Sequence, residues 1–101
     1  MIKAVLAEVI ADPREKAYID QRMEELQQLV NTYGAISIVE IVQQRIKPDY
    51  TTYLGKWKVE EVIELMQSTW ATVLIIGNIL KPRQVYQLGE RLRKYDLQVW
   101  D

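Results

Sequence analysis

Ala71–Gly77, with the sequence ATVLIIG, is the most apolar run in the chain and the stretch that decides the fold. An uninterrupted apolar run of this length, rich in β-branched residues and closed by glycine, is typical of a strand inside a sheet. We therefore predict that this segment forms a central strand of a buried sheet.

Three other segments also have the composition of strands. Lys3–Ile10 (KAVLAEVI) is a nearly continuous apolar run, and Ala35–Val42 (AISIVEIV) is rich in β-branched residues. The closing LQVWD, residues 97–101, predicts a fourth and shorter strand. The sequence therefore contains four predicted strands, separated by longer segments.

One helical segment lies between each pair of successive strands, because apolar residues recur there every three or four positions. These stripes comprise Ile19, Met23, Leu26, Val30 and Tyr33, then Val59, Val62, Ile63, Met66 and Trp70, then Val85, Leu88, Leu92 and Tyr95. Gly34 is placed to end the first helix, and Pro82 to begin the third. The order β-α-β-α-β-α-β predicts one α/β domain over residues 1–101. Its four-stranded, mostly parallel sheet is expected in the order 2-1-3-4, flanked by helices.

The composition excludes much of enzyme chemistry. The chain has 101 residues, no cysteine and no histidine, so it has no thiolate nucleophile, imidazole base or Cys/His metal site. We predict no catalytic residues and no metal ligands. Its net charge of -1 provides no general attraction to nucleic acid or membranes. Without a signal peptide or membrane span, we expect a cytoplasmic protein with no membrane partner.

A basic rim is nevertheless predicted at one edge of the sheet. Ligands of open α/β sheets bind outside the carboxyl ends of the strands, and the long loop from about Arg45 to Trp57 lies there, together with the loop after the third strand. We name as the basic rim the residues Arg45, Lys47, Tyr53, Gly55, Lys56, Trp57, Lys58, Lys81 and Arg83. Cations interleaved with aromatic rings suit phosphate neutralisation and base stacking, so we predict RNA or nucleotide binding by this rim.

Two other interpretations of these residues stay open. Exposed lysines are common in loops, and Trp57 could fold back on the stripe of the second helix. The segment Gly55–Lys58 (GKWK) is not a P-loop, because that motif requires an earlier glycine and a Ser or Thr after Gly-Lys. A Mg²⁺-dependent nucleotide hydrolase of the familiar kind is therefore not expected.

Seven short features occur in order along the chain: Thr32-x-Gly34-Ala35, Gln44-Arg45, Lys47-Pro48-Asp49, Thr52-Tyr53-Leu54-Gly55-x-x-Lys58-Val59-Glu60-Glu61, ATVLIIG, Leu80-x-Pro82-x-Gln84 and the terminal VWD. With these features the chain from about residue 26 to 101 resembles the N-terminal domain of the HflX family of ribosome-associated GTPases. Three positions depart from the family pattern. Trp57 replaces a second glycine, Asn78 replaces an aspartate, and Lys81 replaces a serine or threonine.

The resemblance implies a non-catalytic module that precedes a helical hairpin and a GTPase domain, neither of which this sequence contains. GTP and Mg²⁺ are expected only in that GTPase domain, and the suspected partner is the ribosome, through large-subunit RNA. One alternative is a purine-nucleotide site here, for ATP or GTP, with at most weak ATPase activity; the tryptophan at position 57 counts against it. Another is a scaffold domain that binds neither ligand. The oligomeric state is left open.

Overall fold

The computed structural model describes residues 2–100, with the side chains of Ser37 and Ile38 left out of the description. The elements follow the predicted order, with a 3₁₀ turn at Pro13–Glu15 added after the first strand. They are β1 (Ile2–Ile10), α1 (Lys16–Thr32), β2 (Ala35–Gln44), α2 (Lys56–Thr69), β3 (Val73–Ile76), α3 (Pro82–Arg93) and β4 (Gln98–Trp100). The last residue of the predicted fourth strand, Asp101, lies outside the described residues.

The four strands form one parallel sheet in the order β2-β1-β3-β4, which confirms the predicted α/β class and strand arrangement. β1 pairs with β2 from Ile2↔Ala35 to Ile10↔Gln44, with an irregularity between Ala4 and Val5. On its other side it pairs with β3, from Ala4↔Val73 to Ala7↔Ile76. Because β1 has a neighbour on both sides and helices on both faces, its residues from Ala4 to Ile10 are all buried.

Alternate residues of β1 serve two separate cores, since successive side chains of a strand point to opposite faces. Val5, Ala7 and Val9 pack with the buried stripes of α2 and α3. Ala4, Leu6 and Ile10 pack with α1. One face of the sheet therefore carries two helices and the other carries one. The chain contains no phenylalanine, and both cores consist of aliphatic side chains and methionine.

The predicted helix boundaries hold at two positions. Gly34 follows α1 with a φ of 82°, a left-handed conformation that glycine adopts without steric cost. Pro82 occupies the first turn of α3. The prediction for Trp70 was wrong: it caps the C-terminus of α2 with a φ of 64° and is 81% exposed. It therefore leaves the buried stripe, which ends at Met66.

Some predicted boundaries move by a few residues. β3 spans only Val73–Ile76, so Ala71, Thr72 and Gly77 of the apolar run lie outside the strand. The loop after β2 is also shorter than predicted, because α2 already begins at Lys56. Lys56, Trp57 and Lys58 of the basic rim are consequently residues of the first helical turn.

Candidate functional site

The loop between β2 and α2 has a defined conformation. The backbone groups of Asp49 and Tyr53 exchange two hydrogen bonds, of 2.8 and 3.0 Å, and Tyr53 adopts a φ of 67°. The Asp49 carboxylate accepts the backbone N–H groups of Thr51 and Thr52 at 2.8 and 3.0 Å. Burial alone would raise the pKa of Asp49, but these bonds and the nearby Arg45 charge together lower it. Asp49 therefore stabilises the turn as an ionised carboxylate.

This loop packs on the start of α3. The Gln84 side chain donates a hydrogen bond to the Asp49 carbonyl at 3.1 Å. The Arg83 guanidinium carbon lies 3.8 Å from the centre of the Tyr50 ring, in cation–π geometry. These contacts bring the loop after β2 and the loop after β3 together, as the position of the basic rim at one sheet edge requires.

Neighbouring side chains take up both the backbone N–H of Gly55 and the space beside its Cα. Its backbone N–H donates to Oε1 of Gln43 at 2.9 Å. The guanidinium of Arg45 lies against its Cα, in the space that a side chain would need. The absence of a side chain at Gly55 thus makes room for Arg45 at the start of α2. This geometry does not favour a phosphate on the Gly55 amide.

The other members of the basic rim differ in accessibility. Lys58 pairs with Glu61 at 2.9 Å, so its charge is partly neutralised. Tyr53 is partly buried against the core, and burial, with a smaller effect of Glu8, raises the pKa of its phenol. Trp57 is 81% exposed, so the interpretation in which it folds back on the α2 stripe was wrong. Lys47, Lys56, Lys81 and Arg83 are exposed at the same edge.

The two helices that begin at this edge carry the charge that their dipoles disfavour. Neither α2 nor α3 has an acidic residue in its first turn. Lys56 and Lys58 lie in the first turn of α2, Lys81 occupies the N-cap position of α3 without a side-chain cap, and Arg83 follows Pro82. A helix N-terminus bears a partial positive charge, so its interaction with each exposed cation there is unfavourable by about 0.3–1 kcal/mol. An anion between the two helix starts would relieve this repulsion.

A second group of polar residues was not predicted from the sequence. Glu8, on central strand β1, is 2% exposed, and its Oε1 forms an ion pair with Arg22 of α1 at 2.9 Å. Burial raises the pKa of Glu8, the Arg22 charge lowers it, and Glu15 adds to the rise. The signal in the sequence was a single acid inside the apolar run Ala4–Ile10.

The side chain of Asn78, just after β3, binds the backbone of β1 next to Glu8. Its side-chain carbonyl accepts the N–H of Val9 at 2.8 Å, and its NH₂ group donates to the Val9 carbonyl at 3.0 Å. The amide thus continues the β1–β3 hydrogen-bond ladder beyond Ile76. Asn78 has a structural role here that an aspartate, which lacks the donor, could not fill when ionised.

Neither a membrane-spanning helix nor an acidic metal-binding cluster is found in the part of the chain that the structure describes. Within residues 2–100, no helix is long and apolar enough to cross a membrane. In the same part of the chain, no group of three or more acidic side chains is placed to hold a metal ion.

Comparison with known proteins identifies the class of this domain. A family model described as GTP-binding GTPase N-terminal matches residues 20–101. The small α/β domain thus falls in the class of N-terminal domains of GTP-binding proteins.

Two curated relatives are each named GTPase HflX. The one from Lacrimispora saccharolytica is 35% identical over 66 residues, which cover 65% of this chain and 16% of that protein. The one from Alkalihalophilus pseudofirmus is 33% identical over 75 residues, which cover 74% of this chain and 18% of that protein. The chain therefore belongs to the family of HflX N-terminal domains, as the sequence resemblance indicated, and its matched part spans less than a fifth of these relatives.

Proposed function

We propose that this domain is a non-catalytic module of an HflX-like GTPase and that it contacts ribosomal RNA, on the large subunit, through the basic rim. The observation that supports this proposal most is the pair of helix starts that carry Lys56, Lys58, Lys81 and Arg83 without any acid in the first turn. Such an arrangement is unfavourable within the domain and favourable beside a phosphate backbone.

The exposed side chains suit RNA better than a single bound nucleotide. Trp57 offers a free aromatic face for a base, while Lys56 and Lys81 are exposed for phosphate contacts. The Gly55 amide, which a phosphate cradle would use, already donates to Gln43. The sequence contains no Gly-x-x-x-x-Gly-Lys-Ser/Thr motif, so we propose that GTP hydrolysis belongs to another part of an HflX-like protein.

The test is binding of a fluorescent fragment of large-subunit ribosomal RNA at several salt concentrations. The double variant Lys56→Glu/Lys81→Glu should weaken binding at least about 10-fold and flatten the dependence of log Kd on log salt. Each lost phosphate contact should reduce that slope by about 0.7–0.9. The matched control is Lys3→Glu/Lys94→Glu, which changes the net charge equally with two other exposed lysines, one at the start of β1 and one after α3.

Equal losses in the two double variants would show that only net charge matters and would contradict the rim. A parallel titration with ATP and GTP, with and without Mg²⁺, tests the nucleotide alternative. Saturable amide shifts confined to residues 55–59 and 81–83 would support a nucleotide site in place of the RNA surface. Absence of both RNA and nucleotide binding would leave the scaffold alternative.

A further inference from the structure

Glu8 lies at the place in the sheet where open α/β folds usually bind ligands. The chain leaves β1 towards α1 on one face of the sheet and leaves β3 towards α3 on the other. The carboxyl ends of these neighbouring strands therefore border an opening, and ligands of open α/β sheets bind at such a switch point. Glu8 and Gly77 lie on its two sides, in β1 and directly after β3.

A cavity of about 260 Å³ occupies this opening; we call it the Glu8 crevice. It is lined by Glu8, Arg22, Met23, Glu25, Leu26, Leu29 and Gly77. A Cβ atom at Gly77 would lie 3.4 Å from the Glu8 carboxyl carbon and 3.6 Å from a methyl of Leu26. The glycine therefore keeps the crevice open between the end of β3 and the glutamate.

The Glu8 carboxylate is only partly satisfied by the protein. Oε1 binds Arg22, whereas Oε2 is buried and has no hydrogen-bond partner among the described residues. Buried polar atoms are nearly always hydrogen-bonded, and an unsatisfied charged oxygen is among the costliest exceptions. Because Glu8 lines the crevice, a donor placed there lies beside a carboxylate whose hydrogen bonding the described residues leave incomplete.

The charges around the crevice favour a cation. Glu8 and Glu25 line it, and Glu15 is close enough to raise the pKa of Glu8, while Arg22 is the one cation among the lining residues. Arg22 is bound to Glu8 and its side chain is half exposed. The sum of these formal charges is negative, so a positively charged donor is attracted and an anion is repelled.

An apolar cavity of about 330 Å³ adjoins the crevice and shares Leu26, Leu29 and Gly77 with it. Its other lining residues include Tyr33, Ile75, Ile79 and Trp100. A cavity of this size with a few polar groups at one end is typical of small-molecule sites. The apolar part can hold a hydrocarbon or aromatic body whose charged end points at Glu8.

We propose that the Glu8 crevice binds a small organic monocation, with an amidinium, guanidinium or primary ammonium group at the Glu8 carboxylate and an apolar body against Leu26 and Leu29. None of its lining residues belongs to the basic rim, and it prefers the opposite charge. It does not depend on the proposed contact with RNA.

Benzamidine and benzamide are suitable probes, because they have nearly the same shape and only benzamidine is positively charged. Each is titrated into the whole chain while backbone amide shifts are followed. Benzamidine should produce saturable shifts at Val9, Leu26, Gly77 and Asn78, and benzamide should bind at least about 10-fold more weakly. Equal binding of the two probes, or no saturation by benzamidine at about 20 mM, would overturn the proposal.

Variants separate the buried carboxylate from the general charge of the surface. Glu8→Gln should raise the Kd for benzamidine at least about 10-fold, whereas Glu64→Gln, an equal charge change at an exposed position of α2 outside the crevice, should change it less than about 3-fold. Gly77→Leu should abolish binding by filling the crevice while Glu8 is kept. If Glu8→Gln does not fold, Gly77→Leu and the comparison of probes still decide the question. Unchanged affinity in Gly77→Leu would place the cation elsewhere and refute the site.

Discussion

The substitution Asn78→Asp tests whether one amide holds β1 and β3 together beyond their last ladder pair. Both hydrogen bonds of Asn78 go to the backbone of Val9, which is 7% exposed. The change keeps the acceptor for the Val9 N–H and replaces the donor to the Val9 carbonyl with a second oxygen. The carbonyl is then left without a partner and faces a negative charge.

The expected loss follows from the two effects. An unsatisfied buried carbonyl costs about 1–3 kcal/mol, and repulsion by the carboxylate adds to it. We expect Asn78→Asp to lower the free energy of unfolding by about 2–4 kcal/mol at pH 7. This is a large part of the 5–15 kcal/mol that is usual for a domain. Urea denaturation followed by circular dichroism measures the loss.

The pH dependence separates this explanation from a general loss of packing. The Val9 carbonyl favours the protonated carboxyl, whose O–H can donate to it, so the pKa of the introduced group should be raised in the folded state. A raised folded pKa means that stability is regained as pH falls through that value towards the unfolded value near 3.9. The deficit relative to the unmodified protein should therefore shrink from pH 7 to pH 5.

Two controls accompany this measurement. Asn78→Ala removes both bonds and should be destabilising to a similar degree at both pH values. Gln21→Glu adds the same charge on the exposed side of α1 and should change the free energy of unfolding by less than about 0.5 kcal/mol. If Asn78→Asp were as stable as Gln21→Glu at pH 7, the role of Asn78 in joining β1 to β3 would be refuted.

Two further predictions concern the core and the loop after β2. Leu74, in β3, is fully buried, so Leu74→Ala should lower the free energy of unfolding by about 2–5 kcal/mol in urea denaturation; a loss below about 1 kcal/mol would contradict an interior strand. Asp49 has a lowered pKa in the folded state, so its stabilising effect should be present above the unfolded pKa near 3.9 and lost as pH falls through the folded value. Asp49→Ala should accordingly speed hydrogen exchange of the Thr51 and Thr52 amides at neutral pH, and exchange as slow as in the unmodified protein would rule out the proposed turn.

The fold was predictable because its signals are local. A buried strand shows itself in its own composition, as in Ala71–Gly77, and a helix in its own period. The end of α1 could be placed because a glycine is needed at the left-handed position 34. The error at Trp70 has the same origin: the 3.6-residue period continued into a residue that ends the helix, with nothing local to show that the chain turns away from the core.

The sites were less predictable because they depend on residues that are distant in sequence. Glu8 meets Arg22 and Gly77 only after the sheet has formed, and Asn78 reaches Val9 across 69 positions. The basic rim could be placed at the correct sheet edge from topology alone. The ion pair of Lys58 and the position of Arg83 over Tyr50 required the folded structure. The ligand of the basic rim stays a prediction.

The position of β1 between β2 and β3 has a consequence for synthesis on the ribosome. β1 is translated before both of its neighbours, and its second neighbour is finished only when Ile76 has been added. At about 5–20 residues per second, the apolar segment Ala4–Ile10 waits several seconds without a complete set of partners. During that interval it depends on the nascent α1 and β2, or on a chaperone, for protection from other chains. Substitutions that slow the formation of α1 should therefore reduce soluble yield more than their effect on equilibrium stability indicates.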